Sequence, residues 1–524
     1  MFANLRVDET APTDWKYISE GGSTIVFSYT GPSHPKYDGT ALRLRKAPLP
    51  GNEDAYVQEK PIYAGEPEPE VEVPELEPDP EATAAWHKQH AELREASAAE
   101  RARRYAQSRE ENARAVVEPA DNDWYAGEEE EGRAADDEPD DPTVQFQRAV
   151  IARLIPAEFL PRLESVRVKR EWLEELATLV EPLRPLERRA KDRIDTERRK
   201  AVLATDLVGG EGWAVEIKPK WGFLPNPTWL SPETRDIKRR TCRFCMHAHL
   251  KSTQGEDVAL GYCPLDLFSG NEGRMRKALG ALWDVWVGSG GAVNNLRVFV
   301  NGKMLKPSLE DPKWFVPLAA QLFPSSDPTP PESRTLDELR TAFVRTLHPP
   351  LWQPVLARLS RLQRRLDALD VEGLAALWAR VHGPGTPFGT GPGAREPDMG
   401  DWLRFVHAYF ARESRAEDDA AAGVVRAPEE LAPPTEEELA YRVVAFLLAA
   451  AFKDCSVMVR FRPEGEADGA VRFETTVTVI DLDVKSVDRL AKWAQQDREI
   501  VEAYRGVPEP RVCVDDGPMH PSMM

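Results

Sequence analysis

The feature that most constrains this chain is a stretch that cannot build a core. Residues 51–140 hold 27 acidic and 9 basic side chains, most of the formal net charge of −20. They include EPEPEVEVPELEPDPE (66–81) and GEEEEGRAADDEPDD (127–141). Such Pro- and Glu-rich runs bury too little apolar surface to offset chain entropy, so an acidic disordered insert is expected over 51–142. Inside it, the Ala-, Glu- and Arg-rich residues 86–115 predict a solvated helix. Any compact core must join a short segment before the insert to a long one after it. The charge outside the insert is nearly balanced, so the acidic character belongs to the insert and does not exclude polyanionic ligands.

The order of elements predicts an α+β fold, β-rich first and mixed afterwards. Residues 1–50 read as two strands, STIVFSY after a Gly21-Gly22 turn and TALRLRKA carrying Arg43, Arg45 and Lys46. Residues 143–212 are expected to complete this first part, with helices over 144–155 and 170–183. Helices are also predicted at 273–286, over three stretches of 335–382, at 436–452 and at 486–504. Strands are expected at 213–217, at 296–305 around an Asn-Gly turn, at 455–461 and at 471–480. The Gly/Pro-rich and acidic residues 383–435 read as a linker or loop. That leaves blocks at 213–382 and 436–510 and a tail at 511–524. No apolar run reaches the roughly 18–20 residues needed to span a bilayer. The N-terminus lacks a signal-peptide pattern and five cysteines make no disulfide framework, so a cytoplasmic or nuclear home is expected; the chain is also expected to be a monomer.

Three constellations could carry chemistry. In WAVEIKPKWGFLP (213–225), Pro219 requires the strand ladder to stop or to lie at an edge, and Lys218 and Lys220 would share a face of an extended chain. With Arg243, Lys251, Asn294, Arg297, Lys485 and Arg489 they form a set of donors suited to a ligand bearing several phosphates. Lys485 and Arg489, four apart, would share one face of the last helix. In the second set, Asp454 precedes a strand, and Asp481 and Asp483 follow the next one. An acid that accepts a proton and another that holds Mg²⁺ is the division of labour phosphoryl transfer needs. The third is CRFCMHAH followed by GYCPLD. Cys242, Cys245, His249 and Cys263, with His247 as substitute, have the ligand types of a structural Zn²⁺ site.

These pieces converge on one family. EIKPKWGFLP, CRFCMHAHLK, YCPLDLFSGN, NNLRVFVNGK, KDCSVM and VIDLDVKS, in this order, closely resemble the inositol-pentakisphosphate 2-kinases. GGSTIVFSYTG, LRLRK and ALDVEGLAALWARV add to the match, which skips the insert and the 383–435 loop. The resemblance implies a two-lobed kinase-like fold with a smaller β-rich N-lobe and a larger C-lobe. It implies ATP- and Mg²⁺-dependent phosphorylation of the 2-hydroxyl of inositol 1,3,4,5,6-pentakisphosphate to phytic acid. By motif, Asp454 would be the base and Lys218 its catalytic companion, Asp481 the magnesium ligand and Asp483 a helper. Gly21, Gly22, Ser23, Arg43 and Glu216 would bind the nucleotide. Lys218, Lys220, Arg243, Lys251, Asn294, Arg297, Lys485, Arg489 and one more arginine, Arg170 or Arg167, would bind the inositol phosphates. Trp221, Ala248 and Trp493 depart from the family's usual Cys, Gln and Tyr. Competing readings are a kinase for another ring position and a non-catalytic inositol-phosphate scaffold. Nucleic acid is not expected as a ligand.

Overall fold

A computed structural model describes residues 6–49, 138–308, 310–352, 354–390, 394–421, 435–467 and 470–517. The expected disorder of the insert, its solvated helix, part of the 383–435 loop and the end of the tail lie outside these residues. The chain divides into two compact units, one built from Met1–Asp140 and Ser165–Leu203, the other from Asp141–Glu164 and Ala204–Met524.

The smaller unit is built on a sheet. Its strands are β1 (Trp15–Glu20), β2 (Thr24–Tyr29), β3 (Thr40–Pro48), β4 (Leu163–Arg167), β5 (Asp192–Ile194) and β6 (Lys200–Thr205). They run in the order β1-β2-β3-β6-β4, with β5 pairing β3. β1 was not expected from the sequence. Its antiparallel pairing with β2 turns Gly21–Ser23 into the tip of a hairpin, closed by the Gly21 N–H donating to the Thr24 carbonyl. The helix Arg170–Val180 packs Trp172, Leu173 and Leu176 against Trp15, Phe27 and Leu44. One edge of this core is ionic. Lys46 lies 3.2 Å from Glu20 and 2.8 Å from Asp192, and Arg184 pairs with the same two acids. Two cations and two anions, all desolvated, balance one another, which is the condition under which buried charge is tolerated.

The larger unit carries the second sheet, ordered β11-β10-β7-β8-β9 and antiparallel throughout. Its strands are β7 (Trp213–Ile217), β8 (Leu296–Val300), β9 (Lys303–Leu305), β10 (Ser456–Ala467) and β11 (Ala470–Ile480). β7 is central, so all five of its residues are buried, Glu216 included. Asn301 (φ 49°) and Gly302 (φ 76°) make the left-handed pair that a tight β8–β9 hairpin requires. Helices Pro354–Leu366 and Glu436–Asp454 pack against each other beside this sheet. No helix among the described residues is long and apolar enough to cross a membrane.

Two segments sit differently from the sequence expectation. Residues 142–154, expected with the smaller unit, place Phe146, Val150, Ile151 and Leu154 in the larger core. The 383–435 stretch contains a helix, Met399–Ala421, not only a loop. Trp402, Phe405, Val406 and Tyr409 recur at helical spacing and are buried, an apolar stripe masked in sequence by the flanking Gly, Pro and Asp. Phe405→Ala is therefore expected to destabilise the protein by about 3–5 kcal/mol in urea unfolding; an unchanged midpoint would contradict this packing.

Candidate active site

The strand β7 ends where Pro219 removes a backbone donor, and the turn that follows is braced through its backbone at several points. The Lys218 N–H donates to the Asn295 carbonyl, and the Asn295 side-chain amide donates back to the Lys218 carbonyl. The buried Tyr262 hydroxyl donates to the Pro219 carbonyl. Gln363, fully buried, donates to the carbonyls of Lys220 (3.1 Å) and Phe452 (2.8 Å) and accepts from the Gly222 N–H (2.8 Å). Gly222 is required because a Cβ there would come within 2.5 Å of the Phe268 ring. These contacts hold Lys220 at φ 64°, a region that non-glycine residues rarely occupy.

That backbone twist corrects the expectation that Lys218 and Lys220 share a face by strand alternation. The chain is not extended through Lys220, and the two ammoniums go to different carboxylates. Lys218 lies 3.6 Å from Asp481 and Lys220 lies 3.3 Å from Asp454. The other Asp454 oxygen is 3.2 Å from Lys485. Burial pushes the Asp454 carboxyl up, but Lys220, Lys485 and Lys218 outweigh it and hold the group below the usual carboxylate range. Asp481 also has a left-handed backbone, φ 61°. The Ser456 hydroxyl bridges Asp481 (2.9 Å) and Glu216 (2.8 Å), serving one carboxylate at a time with its single proton. Arg297, opposite Glu216 on β8, holds the remaining Glu216 oxygen at 3.2 Å. Strand neighbours thus bring Glu216, Arg297, Ser456 and Asp481 into one polar row, while Asp454 ends the helix just before β10.

The helix Arg243–Thr253 carries Arg243, His247 and Lys251 four residues apart, hence on one face. Arg243 donates to Asp497 and Gln496 and lies over the Trp221 ring, 4.8 Å from its centroid. Trp221 is thus a platform for a cation, and Lys453 sits 3.9 Å from the same ring. Lys251 pairs with Glu256 at 2.7 Å. His247 is pushed down to about 3 by burial and by Arg243, Lys251 and Lys220, so it is neutral among these cations. Asn294 is exposed, and Asp483 is half-buried two residues beyond Asp481. The last helix begins at Arg489, so Lys485 precedes it and the expected shared helix face does not exist. Trp493 packs against Phe446.

The remaining candidates belong to the smaller unit. Gly21, Gly22 and Ser23 form the β1–β2 tip, and a Cβ at either glycine would meet no atom within 4 Å. Arg43 lies on β3 opposite Val26, and Arg170 pairs with Glu174 and Glu197.

The thiols regroup relative to expectation. Cys242, Cys245 and Cys263 do meet, but the fourth member of the cluster is Cys513, not a histidine. His249 instead packs edge-on against Tyr504, and His247 faces the cations. A second cluster, Asp370, Glu372 and Asp497, already holds a cation, because the buried Lys238 ammonium contacts all three within 3.0 Å.

Sequence reasoning missed Ser456, Gln363, Lys238 and Cys513. Gln363 and Ser360 did carry a signal, as polar residues on the apolar face made by Leu356, Leu359, Leu362 and Leu366. Ser360 donates to the Gly222 carbonyl, at 3.2 Å. Cys513 carried none, since 249 residues separate it from Cys263.

The model of the family described as inositol-pentakisphosphate 2-kinase matches residues 17–499. An inositol-pentakisphosphate 2-kinase of Cryptococcus neoformans var. neoformans serotype D is 30% identical over 502 residues, covering 94% of this chain and 93% of the relative. Those of Arabidopsis thaliana and Danio rerio are 27% and 26% identical, each over 69% of this chain and over 76% and 82% of their own.

The bracing of the turn is testable without a substrate. Gln363→Leu keeps the volume but strips partners from one N–H and two carbonyls, so a stability loss on the order of 3 kcal/mol is expected in urea unfolding. A loss below about 0.5 kcal/mol, the usual range of surface substitutions, would show that the amide does not hold the turn.

Proposed function

From the premise that this chain belongs to the inositol-pentakisphosphate 2-kinase family, we propose that it transfers the γ-phosphoryl group of ATP to the 2-hydroxyl of inositol 1,3,4,5,6-pentakisphosphate, giving inositol hexakisphosphate. The observation that carries this reading is the pairing of two carboxylates, Asp454 and Asp481, with three lysines at the ends of neighbouring elements.

Asp454 is the group that accepts the 2-hydroxyl proton. Its lowered pKa keeps it ionised and ready to accept, and in a loose transition state the hydroxyl loses its proton late, so positioning matters more than basicity. Lys220 and Lys485 hold one carboxylate oxygen each and are drawn toward the substrate's phosphates when these arrive. Lys218 stands between Asp481 and the same phosphates. Arg243 and Lys251, with Arg489, Asn294 and Arg297, extend the cradle. Glu216 takes the nucleotide ribose, and Gly21, Gly22, Ser23 and Arg43 take its phosphates; the open hairpin tip, free of packing against its glycines, suits that role.

Asp481, with Asp483 beside it, suits a hard cation: its carboxylate is about one-third exposed (31%) and offers oxygen ligands. Mg²⁺ held there would neutralise charge on the transferring phosphates. The β-rich smaller unit and the mixed larger one suit the two-lobed kinase-like fold.

Incubation with ATP, Mg²⁺ and the pentakisphosphate should yield the hexakisphosphate, identified by ion chromatography. Asp454→Asn should lower kcat by roughly 10²- to 10⁴-fold. Wild type and variant equally inert, or a product phosphorylated elsewhere, would refute the assignment. Because the cradle is built of cations partly open to solvent, KM for the pentakisphosphate should rise steeply with ionic strength. A KM unchanged between low and 0.15 M salt would argue against it.

A further inference from the structure

Asp497 joins a buried scaffold network to the candidate substrate cradle. It lies in the middle of the last helix, Arg489–Arg505, and is 2% exposed. Its Oδ2 accepts from the Lys238 ammonium at 2.8 Å, and its Oδ1 accepts from the Arg243 Nε at 3.3 Å. Lys238 ends the short helix Pro232–Lys238 and directs its three donors to Asp370, Glu372 and Asp497. Burial disfavours that ammonium, but Asp370, Asp497 and Glu372 outweigh it and raise Lys238 above the usual lysine range. Asp497 is therefore held from the core side by a cation whose donors are all in use, and its second oxygen receives Arg243.

Arg243 is fixed on three sides. Its Nε meets Asp497, its Nη2 donates to Gln496 Oε1 at 3.1 Å, and its plane lies over the Trp221 ring. A guanidinium carries five N–H groups. Both N–H groups of Nη1 and one of Nη2 have no partner among the described residues, and the side chain is 14% exposed. These are the donors of the end-on fork that matches a phosphate. A bidentate pair would close the fork on a carboxylate; Asp497 takes Nε alone and leaves the end open.

We propose that Asp497 is a positioning residue for the pentakisphosphate: with Gln496 as a second stop, it sets the direction of the Arg243 guanidinium so that the open fork receives one substrate phosphate. This rests on the reading of Arg243 as part of the substrate cradle. Lys238 makes the arrangement rigid, because Asp497 cannot turn away from Arg243 without disturbing a fully engaged ammonium. An arginine ordered beforehand loses less side-chain freedom when the phosphate arrives. The helix that supplies Asp497 begins at Arg489, so one rigid element aims one cradle arginine and carries another.

Affinity for the pentakisphosphate, measured by calorimetry without ATP, reads this positioning separately from turnover. Asp497→Asn keeps the side chain's size and should weaken binding about tenfold. KM for the pentakisphosphate should rise in parallel, with kcat and KM for ATP staying within about twofold of wild type. Adding Asp497→Asn to Arg243→Ala should weaken binding by less than about twofold further, since the aspartate acts through the arginine. Gln496 is half-buried, so Gln496→Ala spares the core and should weaken binding about threefold. Where Asp497→Asn fails to fold, Gln496→Ala alone decides. Unchanged affinity in the folded single variants, a full additive loss in the double variant, or equal losses in kcat and in KM for ATP would each overturn the proposal. Wild type that binds the pentakisphosphate without phosphorylating it would refute the proposed reaction and leave this test standing.

Discussion

The larger unit depends on one buried amide. Gln363 has every polar atom engaged, joining the Lys220 carbonyl, the Gly222 N–H and the Phe452 carbonyl. Two of those groups belong to the turn that aims Lys220, and the third to the end of the helix that presents Asp454. A polar side chain placed among leucines is costly unless fully satisfied. Here the satisfaction is complete, so the same bonds that make the amide tolerable also lock the lysine and the acid into one frame. The left-handed backbone at Lys220 persists because its surroundings over-determine it.

Charge pairs in this unit differ between core and candidate site. Two buried lysines have opposite partners: Lys238 with Asp370, Glu372 and Asp497, and Lys453 with Asp367. At the candidate site the pairs are looser and partly exposed, at 3.2–3.6 Å. Tight pairs fix structure, whereas pairs open to solvent can exchange a carboxylate partner for a phosphate at modest cost. That difference separates scaffold lysines from those assigned to the substrate, although both are lysines close to aspartates.

Much of the architecture was legible from periodicity. The helices at 273–286, 335–382 and 436–452 and the hairpin around Asn301-Gly302 appear close to where pattern and turn chemistry put them. The helix Met399–Ala421 was not, because its Trp402, Phe405, Val406 and Tyr409 stripe is short and set among Gly, Pro and acidic residues. At the site, Asp454, Asp481 and the lysines of the KPK and DLDVK motifs stood out as residue types. Their pairing did not, since Lys220 and Asp454 are 234 residues apart and Lys218 and Asp481 are farther still.

What the linear order of residues determined was the menu: an α+β chain interrupted by an acidic insert, strand ends rich in lysine and aspartate, and thiols of zinc-binding type. Local rules suffice there, because helix and strand periods, proline's missing donor and charge density act over a few residues. Tertiary structure decided which residues meet. It turned Lys220 away from the face of Lys218, moved Lys485 off the last helix and replaced His249 by Cys513 in the thiol cluster. Those outcomes depend on long-range closure around a shared core, where a side chain's partner is set by packing between elements and not by spacing along the chain.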